Sequence, residues 1–333
     1  MAPPETALIE ALDSARKVSH VQSLFDQVRF LFPKWRLPFI YEQLDSKLDE
    51  LDSESAEFFT LRLRLRISLR DFNGLLNLFQ NGTEHFQCCD SNHWLQRFER
   101  LKSILRRNRF PDFQAQKIFG IGLSRTGTTS LTAALSRLGY LSSHFENEFS
   151  MELLDADDAI IFEAMTDTPV CAQFELLYHR FENAKFIWTK LPYDRWVDSF
   201  NRHCLRTFGT NNFSVIREIP RRFQRRPYMV ELEKLDWTLY FCYKSLEEAY
   251  AAYRNRVESF FHNKPKDKLL VLEAGDGQEW SKLCDFLSCD APKEPYPWEN
   301  KSNPDYLAPR LSQLSPLEGV NTSALSRFPP VPA

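Results

Sequence analysis

The residues best equipped for chemistry in this chain lie between Lys117 and Tyr140, in KIFGIGLSRTGTTSLTAALSRLGY. Gly122 and Gly127 bracket a loop that carries Ser124, Arg125 and Thr126, and the hydroxyl run Thr128-Thr129-Ser130 follows directly. Main-chain N–H groups, short hydroxyls and one guanidinium are thus gathered in one stretch, a set suited to holding an anion. The flanks say how it is positioned. Ile118-Phe119-Gly120-Ile121 predicts a short buried strand, and Leu131, Ala134, Leu135 and Leu138 recur at helical spacing until Gly139 stops them. Strand, glycine-containing loop and helix form a phosphate cradle, in which loop N–H groups and the positive end of the helix dipole converge on one anion. The nucleotide-hydrolase version, G-x-x-x-x-G-K-[ST], places a Lys on the outer phosphates and a hydroxyl on Mg²⁺. Here Thr128 stands at the Lys position and the cation is Arg125 inside the loop. That exchange disfavours a Mg-bound triphosphate and suits a less charged anion held without metal.

The elements around this segment define the fold class. Residues 1 to about 110 are expected to be all-helical. Val21, Leu24, Phe25, Val28, Leu31 and Phe32 follow helical spacing up to Pro33, and residues 37 to 51 give a shorter candidate. Residues 54 to 79 fit both periods. Leu61, Leu63, Leu65, Ile67 and Leu69 alternate, yet Phe58, Leu61, Leu65, Leu69, Phe72, Leu76 and Phe79 fit one long helix ended by Asn81-Gly82, and length favours the helix. From Lys117 to about Ser302 strands and helices alternate. Ala159 to Phe162, Ala184 to Thr189 and Lys268 to Leu272 are expected strands, the last of them buried. Helices are expected from Pro192 or Tyr193 to Phe200, over Tyr228 to Phe261 as one or two, and over Trp280 to Leu287. The class is α/β: a P-loop-type parallel sheet flanked by helices, preceded by an all-helical N-terminal region, with ligands at the carboxyl ends of the strands. The expected division is 1–112, helical; 113–303, α/β; and 304–333, a Pro-rich tail.

Composition removes several function classes. The chain has 333 residues, 43% of them apolar, 28 Phe and a net charge of −3, so no global basic field points to nucleic acid. No apolar run is long enough to span a bilayer, the N-terminus lacks a signal-peptide pattern, and the seven Cys contain no C-x-x-C pair. A cytoplasmic location with free thiols is the expectation. The cluster Arg97, Arg100, Lys102, Arg106, Arg107 and Arg109 reads as a solvated helix face, with an acidic acceptor or partner as the sharper alternative.

Residues 117 to 302 resemble the sulfotransferases that use 3′-phosphoadenosine-5′-phosphosulfate (PAPS) as donor. Their phosphosulfate loop has Lys or Arg before a [ST]-G-T-[ST] core, as Arg125-Thr126-Gly127-Thr128-Thr129 does here. Three later segments match in order: Phe181 to Ile187 followed by Trp196-Val197-Asp198-Ser199-Phe200 and His203; the D-x-P step in Thr166-Asp167-Thr168-Pro169; and Leu269 to Leu272 through Trp280, Leu283 to Leu287, Pro292, Pro295-Tyr296-Pro297 and Asn300. The resemblance implies a metal-independent sulfotransferase with PAPS as co-substrate. Ser124, Arg125, Thr126, Gly127, Thr128, Thr129 and Ser130 would bind the donor. The family holds the 3′-phosphate with an Arg at a strand end and a Ser eight residues later. Ser199 matches the Ser, Leu191 stands where the Arg should be, and Lys190 beside it is the substitute, a point charge in place of a bidentate fork.

Charge develops on the sulfuryl oxygens and the departing phosphate in such a transfer, so Arg125 is the natural counter-charge. The acceptor hydroxyl or amine needs a base, and His144, Asp167 and Glu163 are the candidates; an ordinary His titrates near ~6.5. The run Arg217, Arg221, Arg222, Arg225 and Arg226, between Pro220 and Pro227, reads as a solvated loop or as a clamp on the 3′-phosphate or an anionic acceptor. Expected partners are a small-molecule, lipid or carbohydrate acceptor, with the N-terminal helices offering a surface to a protein. Two other readings stay open: a non-catalytic interaction protein with a degenerate domain, motivated by Leu191, and a P-loop nucleotide kinase or NTPase.

Overall fold

The structure is a computed structural model that describes residues 4–32, 36–51, 55–81, 92–107, 110–219 and 229–299. The Pro-rich tail and Arg221, Arg222, Arg225 and Arg226 lie outside the described residues. The described residues form two compact units, one made up of those before 107 together with 149–151, the other of the rest.

The first unit is helical: α1 (Pro4–Ser14), α2 (Val18–Leu31), α3 (Leu37–Asp49), α4 (Ala56–Ser68), α5 (Phe72–Asn81) and α6 (Asn92–Leu105). The apolar stripe of α2 explains its packing, since Val21, Leu24, Phe25 and Val28 are all buried. Residues 54 to 79 form two helices rather than one. Arg70 adopts the left-handed region with φ 57°, and Asp71 accepts the Gly74 N–H at 2.9 Å, which caps the new helix. Helical periodicity runs through this break because both helices bury the same kinds of residue.

The second unit is the α/β domain. Its strands are β1 (Ile118–Gly120), β2 (Ser142–His144), β3 (Glu146–Asn147), β4 (Glu152–Leu153), β5 (Ala164–Thr166), β6 (Lys185–Lys190) and β7 (Leu269–Glu273). Five are parallel in the order β2-β5-β1-β6-β7, and β3 pairs with β4 antiparallel. The helices are α7 (Thr128–Arg137), α8 (Thr168–Ala172), α9 (Phe174–Arg180), α10 (Tyr193–Phe208), α11 (Phe213–Glu218), α12 (Met229–Asp236), α13 (Leu246–Phe261) and α14 (Glu279–Leu287). A π-helical turn, Trp237–Phe241, follows α12. One core joins Ile118, Leu131, Ala134, Leu135, Ala164, Ile187, Leu272, Leu283 and Leu287, so α7 and α14 pack on the sheet. Truncating any of these leucines to Ala costs about 2–5 kcal/mol, the loss of transfer energy plus a cavity.

Several expectations are corrected. The apolar run Ala159 to Phe162 is not a strand: residues Asp158–Ile160 form a 3₁₀ turn, and the strand begins at Ala164. His144 sits on the edge strand β2, which the sequence reading left unassigned. The helix expected to end at Phe200 continues to Phe208, where Gly209 closes it at φ 71°. β7 is an edge strand in which Leu272 alone is buried. Among the described residues no helix is long and apolar enough to cross a membrane.

Candidate functional site

β1 lies between β5 and β6, where the strand order reverses direction, and a doubly wound sheet opens its ligand crevice at the carboxyl ends of such strands. The loop 121–127 leaves β1 there. A Cβ on Gly122 would overlap the hydroxyls of Thr189 and Thr126 and lie 2.7 Å from the Thr189 carbonyl oxygen, so only glycine permits this approach. Thr126 closes the turn: its N–H and hydroxyl both bond the Leu123 carbonyl, at 3.2 and 2.7 Å, and its Oγ1 is 2.8 Å from Thr189 Oγ1. Gly127, at φ 97°, turns the chain into α7, whose first N–H groups have no intrahelical acceptor.

Aromatic side chains clamp the loop from outside. Ser124 donates its main-chain N–H to Tyr240 Oη at 3.2 Å, and Trp196 Nε1 donates to the Ser124 carbonyl at 3.0 Å. Tyr253 donates to the Ile121 carbonyl. Tyr240 comes from the π-helical turn and stacks on Trp196, and π-turns recur where a helix must re-aim a side chain at a site. With its N–H engaged, Ser124 has only its hydroxyl to offer a ligand. Ser130 Oγ accepts the N–H of Glu299 at 3.0 Å.

Arg125 is held in the left-handed region at φ 74°, an uncommon state for a non-glycine residue. Its Nε reaches Ser199 Oγ at 3.4 Å, so the structure joins the loop to the α10 serine. Burial pushes the guanidinium below its ordinary value; Arg206 and Arg202 push the same way, and Asp167 opposes them. Arg202 and Arg206 escape a reading that ends α10 at Phe200. Ser199, Arg202 and Arg206 lie at i, i+3 and i+7 on one helix face, while Trp196, Phe200 and Cys204 are buried on another. Both arginines are exposed, and neither has an ion-pair partner among the described residues.

Lys190 is placed differently. It alternates with Thr189 along β6, so Thr189 faces the loop while Lys190 Nζ lies 4.4 Å from the centre of the Trp188 ring. Arg217 stacks over Trp237 at 5.3 Å and donates to the Tyr243 carbonyl.

On the other side of the loop, His144 Nε2 is 3.2 Å from Thr128 Oγ1, 3.1 Å from Thr129 Oγ1 and 3.2 Å from Asp167 Oδ2. A carboxylate only accepts, so Nε2 carries the proton and the two hydroxyl protons point elsewhere. Burial lowers the His144 pKa from 6.5; Asp167 opposes, Arg125 adds to the lowering, and a bond to its own main chain opposes. Asp167 has φ 83° and ψ −166°, a region almost confined to glycine and costing about 1–3 kcal/mol. It is buried, its side chain does not cap α8, and its Oδ1 has no hydrogen-bond partner among the described residues. Glu163 belongs elsewhere. It precedes β5, at the opposite end of the sheet, and binds Arg107 at 2.8 Å and the Leu141 N–H at 3.1 Å. Beside it Lys117 is buried, donates to the Phe162 carbonyl at 3.0 Å, and is lowered to about 8 by burial. Among the described residues no cluster of His, Cys, Asp and Glu has the makings of a metal site.

Comparison with known proteins addresses the family. "Ava biosynthesis cluster protein M" of Aspergillus versicolor is 25% identical over 215 residues, covering 54% of this chain and 79% of the relative. The family profile described as "Sulfotransferase domain" matches residues 117–304, a span that contains the loop, Ser199, His144 and Asp167. That span is more than half of the 333 residues, and the chain therefore belongs to the sulfotransferase-domain family.

Proposed function

We propose that this protein transfers a sulfuryl group from PAPS to a hydroxyl or amine of a small-molecule, lipid or carbohydrate acceptor, without a metal ion. The observation that carries the proposal is the meeting of Arg125, Ser199 and the opening of α7 on one side with the Asp167–His144 pair on the other. The first group suits the phosphate end of the donor and the second suits the acceptor.

In this reading the first N–H groups of α7 and the hydroxyls of Thr128 and Thr129 bind the 5′-phosphate. His144 donates to Asp167, so neither threonine hydroxyl has to donate to its Nε2. Arg125 balances the charge that builds on the phosphate as its bond to sulfur breaks. Asp167 Oδ1 accepts the hydrogen of the acceptor hydroxyl and takes the proton as the new oxygen–sulfur bond forms. His144 stays neutral and holds the carboxylate in its strained position. Arg202 and Arg206 supply the cationic charge that Leu191 lacks, on the same helix face as Ser199. Lys190, turned onto Trp188, is the weaker substitute. The protein is placed in the cytoplasm in this reading, and its donor and acceptor both enter from solution.

The test is turnover of radiolabelled donor by the full chain in excess chelator. Release of labelled sulfate, or its transfer to an added acceptor, should proceed at an unchanged rate. Activity lost on chelation and restored by Mg²⁺ would instead support a nucleotide kinase.

A further inference from the structure

α14 ends in a tight cap that brings two cysteines together. Ser288 adopts the left-handed conformation at φ 57°. The Cys289 N–H donates to the Cys284 carbonyl at 3.0 Å, and the Ser288 N–H to the Asp285 carbonyl at 3.3 Å. These two bonds define a Schellman cap, in which the side chain of the residue donating the longer-range bond commonly touches that of the residue accepting it. Here those positions are Cys284 and Cys289. Five residues apart, they share no helix face; the cap alone pairs them.

The geometry permits a covalent bond. A hydrogen bond of 3.0 Å between the two main chains limits the Cα separation to about 7 Å, given the covalent spans on either side. A disulfide needs a Cα separation below that bound. Cys289 is exposed and Cys284 is buried, and both are free thiols. The Cys284 thiol is a hydrogen-bond neighbour of Cys289, and its Sγ lies 3.8 Å from the Asp290 carbonyl. Burial first, then Cys289, raise the Cys284 thiol to about 11.

We propose that Cys284 and Cys289 are a reversible dithiol–disulfide pair, a modification site for small-molecule disulfides such as oxidised glutathione. The exposed Cys289 thiolate attacks one sulfur of the reagent; a Cys289–glutathione bond forms, the reagent's S–S bond breaks and one glutathione thiolate leaves. The Cys284 thiolate then attacks Cys289 Sγ, forming the Cys284–Cys289 bond and expelling the second glutathione thiolate. Two cysteines are oxidised, one disulfide is reduced, and the two cysteine protons pass to the released thiolates. Once Cys289 is capped its thiolate charge is gone, which eases ionisation of Cys284. The second step is nonetheless slow at neutral pH and quickens as pH rises. The pair sits at the far end of α14 from the 274–278 turn that approaches Gly127, so the site does not depend on the proposed transfer reaction.

The experiment treats the folded full chain with oxidised glutathione at pH values from neutral to mildly alkaline, blocks remaining thiols and maps peptides by mass. Leu283 to Lys293 carries both cysteines in one tryptic peptide. That peptide should lose about 2 Da without gaining glutathione or blocking agent, faster at higher pH. Cys289→Ser should abolish the change. Cys284→Ala should leave glutathione on Cys289 as a stable adduct. Wild-type protein that accumulates the Cys289 adduct while Cys284 is still blocked by alkylation, or that joins either cysteine to a third one, would overturn the proposal.

Discussion

Arg125→Ala is expected to lower sulfuryl transfer by about 10²–10³-fold or more, with the fold retained. Arg125 is the cation inside the loop, it reaches Ser199, and its charge lies close to Arg202, Arg206 and Asp167. An arginine held among other arginines is unfavourable until an anion arrives, so removing it should not weaken the unliganded fold. Steady-state rates and a thermal melt on one preparation separate the two effects. A rate within about threefold of wild type would refute an electrostatic role for this side chain.

Asp167→Asn should cost about 10²–10⁴-fold in transfer, the usual range for a lost general base. The companion variant Asp167→Gly should lose as much activity yet melt at an equal or higher temperature. Glycine accepts φ 83° and ψ −166° without strain and removes a buried, unmatched oxygen. A structural aspartate would behave in the opposite way, and melting the two variants beside wild type tells the cases apart. The pH profile adds a second check. His144 has its pKa lowered from 6.5, mainly by burial, so it gains its second proton only below that value. The acid limb of transfer should therefore lie below pH 6.5. A second proton, on Nδ1, would make His144 cationic and weaken Asp167 beside it as a base.

The strand, loop and helix at 118–137 were legible because every signal in them is local: an apolar run, two glycines, a helical stripe and a stop. The same holds for α2, α14 and β6. β2 and β5 were not legible. Each has three residues, β2 begins Ser142-Ser143, and their burial comes from neighbours supplied by distant sequence. The strongly apolar Ala159 to Phe162 then drew the strand assignment away from Ala164. α10 was cut short because polar residues follow Phe200, although Trp196, Phe200 and Cys204 continue the buried stripe and place Arg202 and Arg206 beside Ser199. The loop residues Arg125, Thr128 and Thr129, together with His144 and Asp167, could be named from sequence. Their convergence through His144 Nε2, the strain at Asp167 and the turning of Lys190 onto Trp188 could not, since each depends on packing across the sheet.

Calorimetric titration of the full chain in chelator tests donor recognition most directly. Adenosine 3′,5′-bisphosphate should bind at least roughly tenfold more tightly than adenosine 5′-monophosphate, because a hydrogen bond to a charged group is worth about 1.5–3 kcal/mol. Ser199→Ala and Arg202→Ala should each narrow that ratio, and the preference left in the arginine variant should fall less steeply with salt than that of wild type, because a charged contact is gone. Equal affinity for the two nucleotides in wild type, or binding confined to ATP with Mg²⁺, would contradict a phosphosulfate donor in this loop.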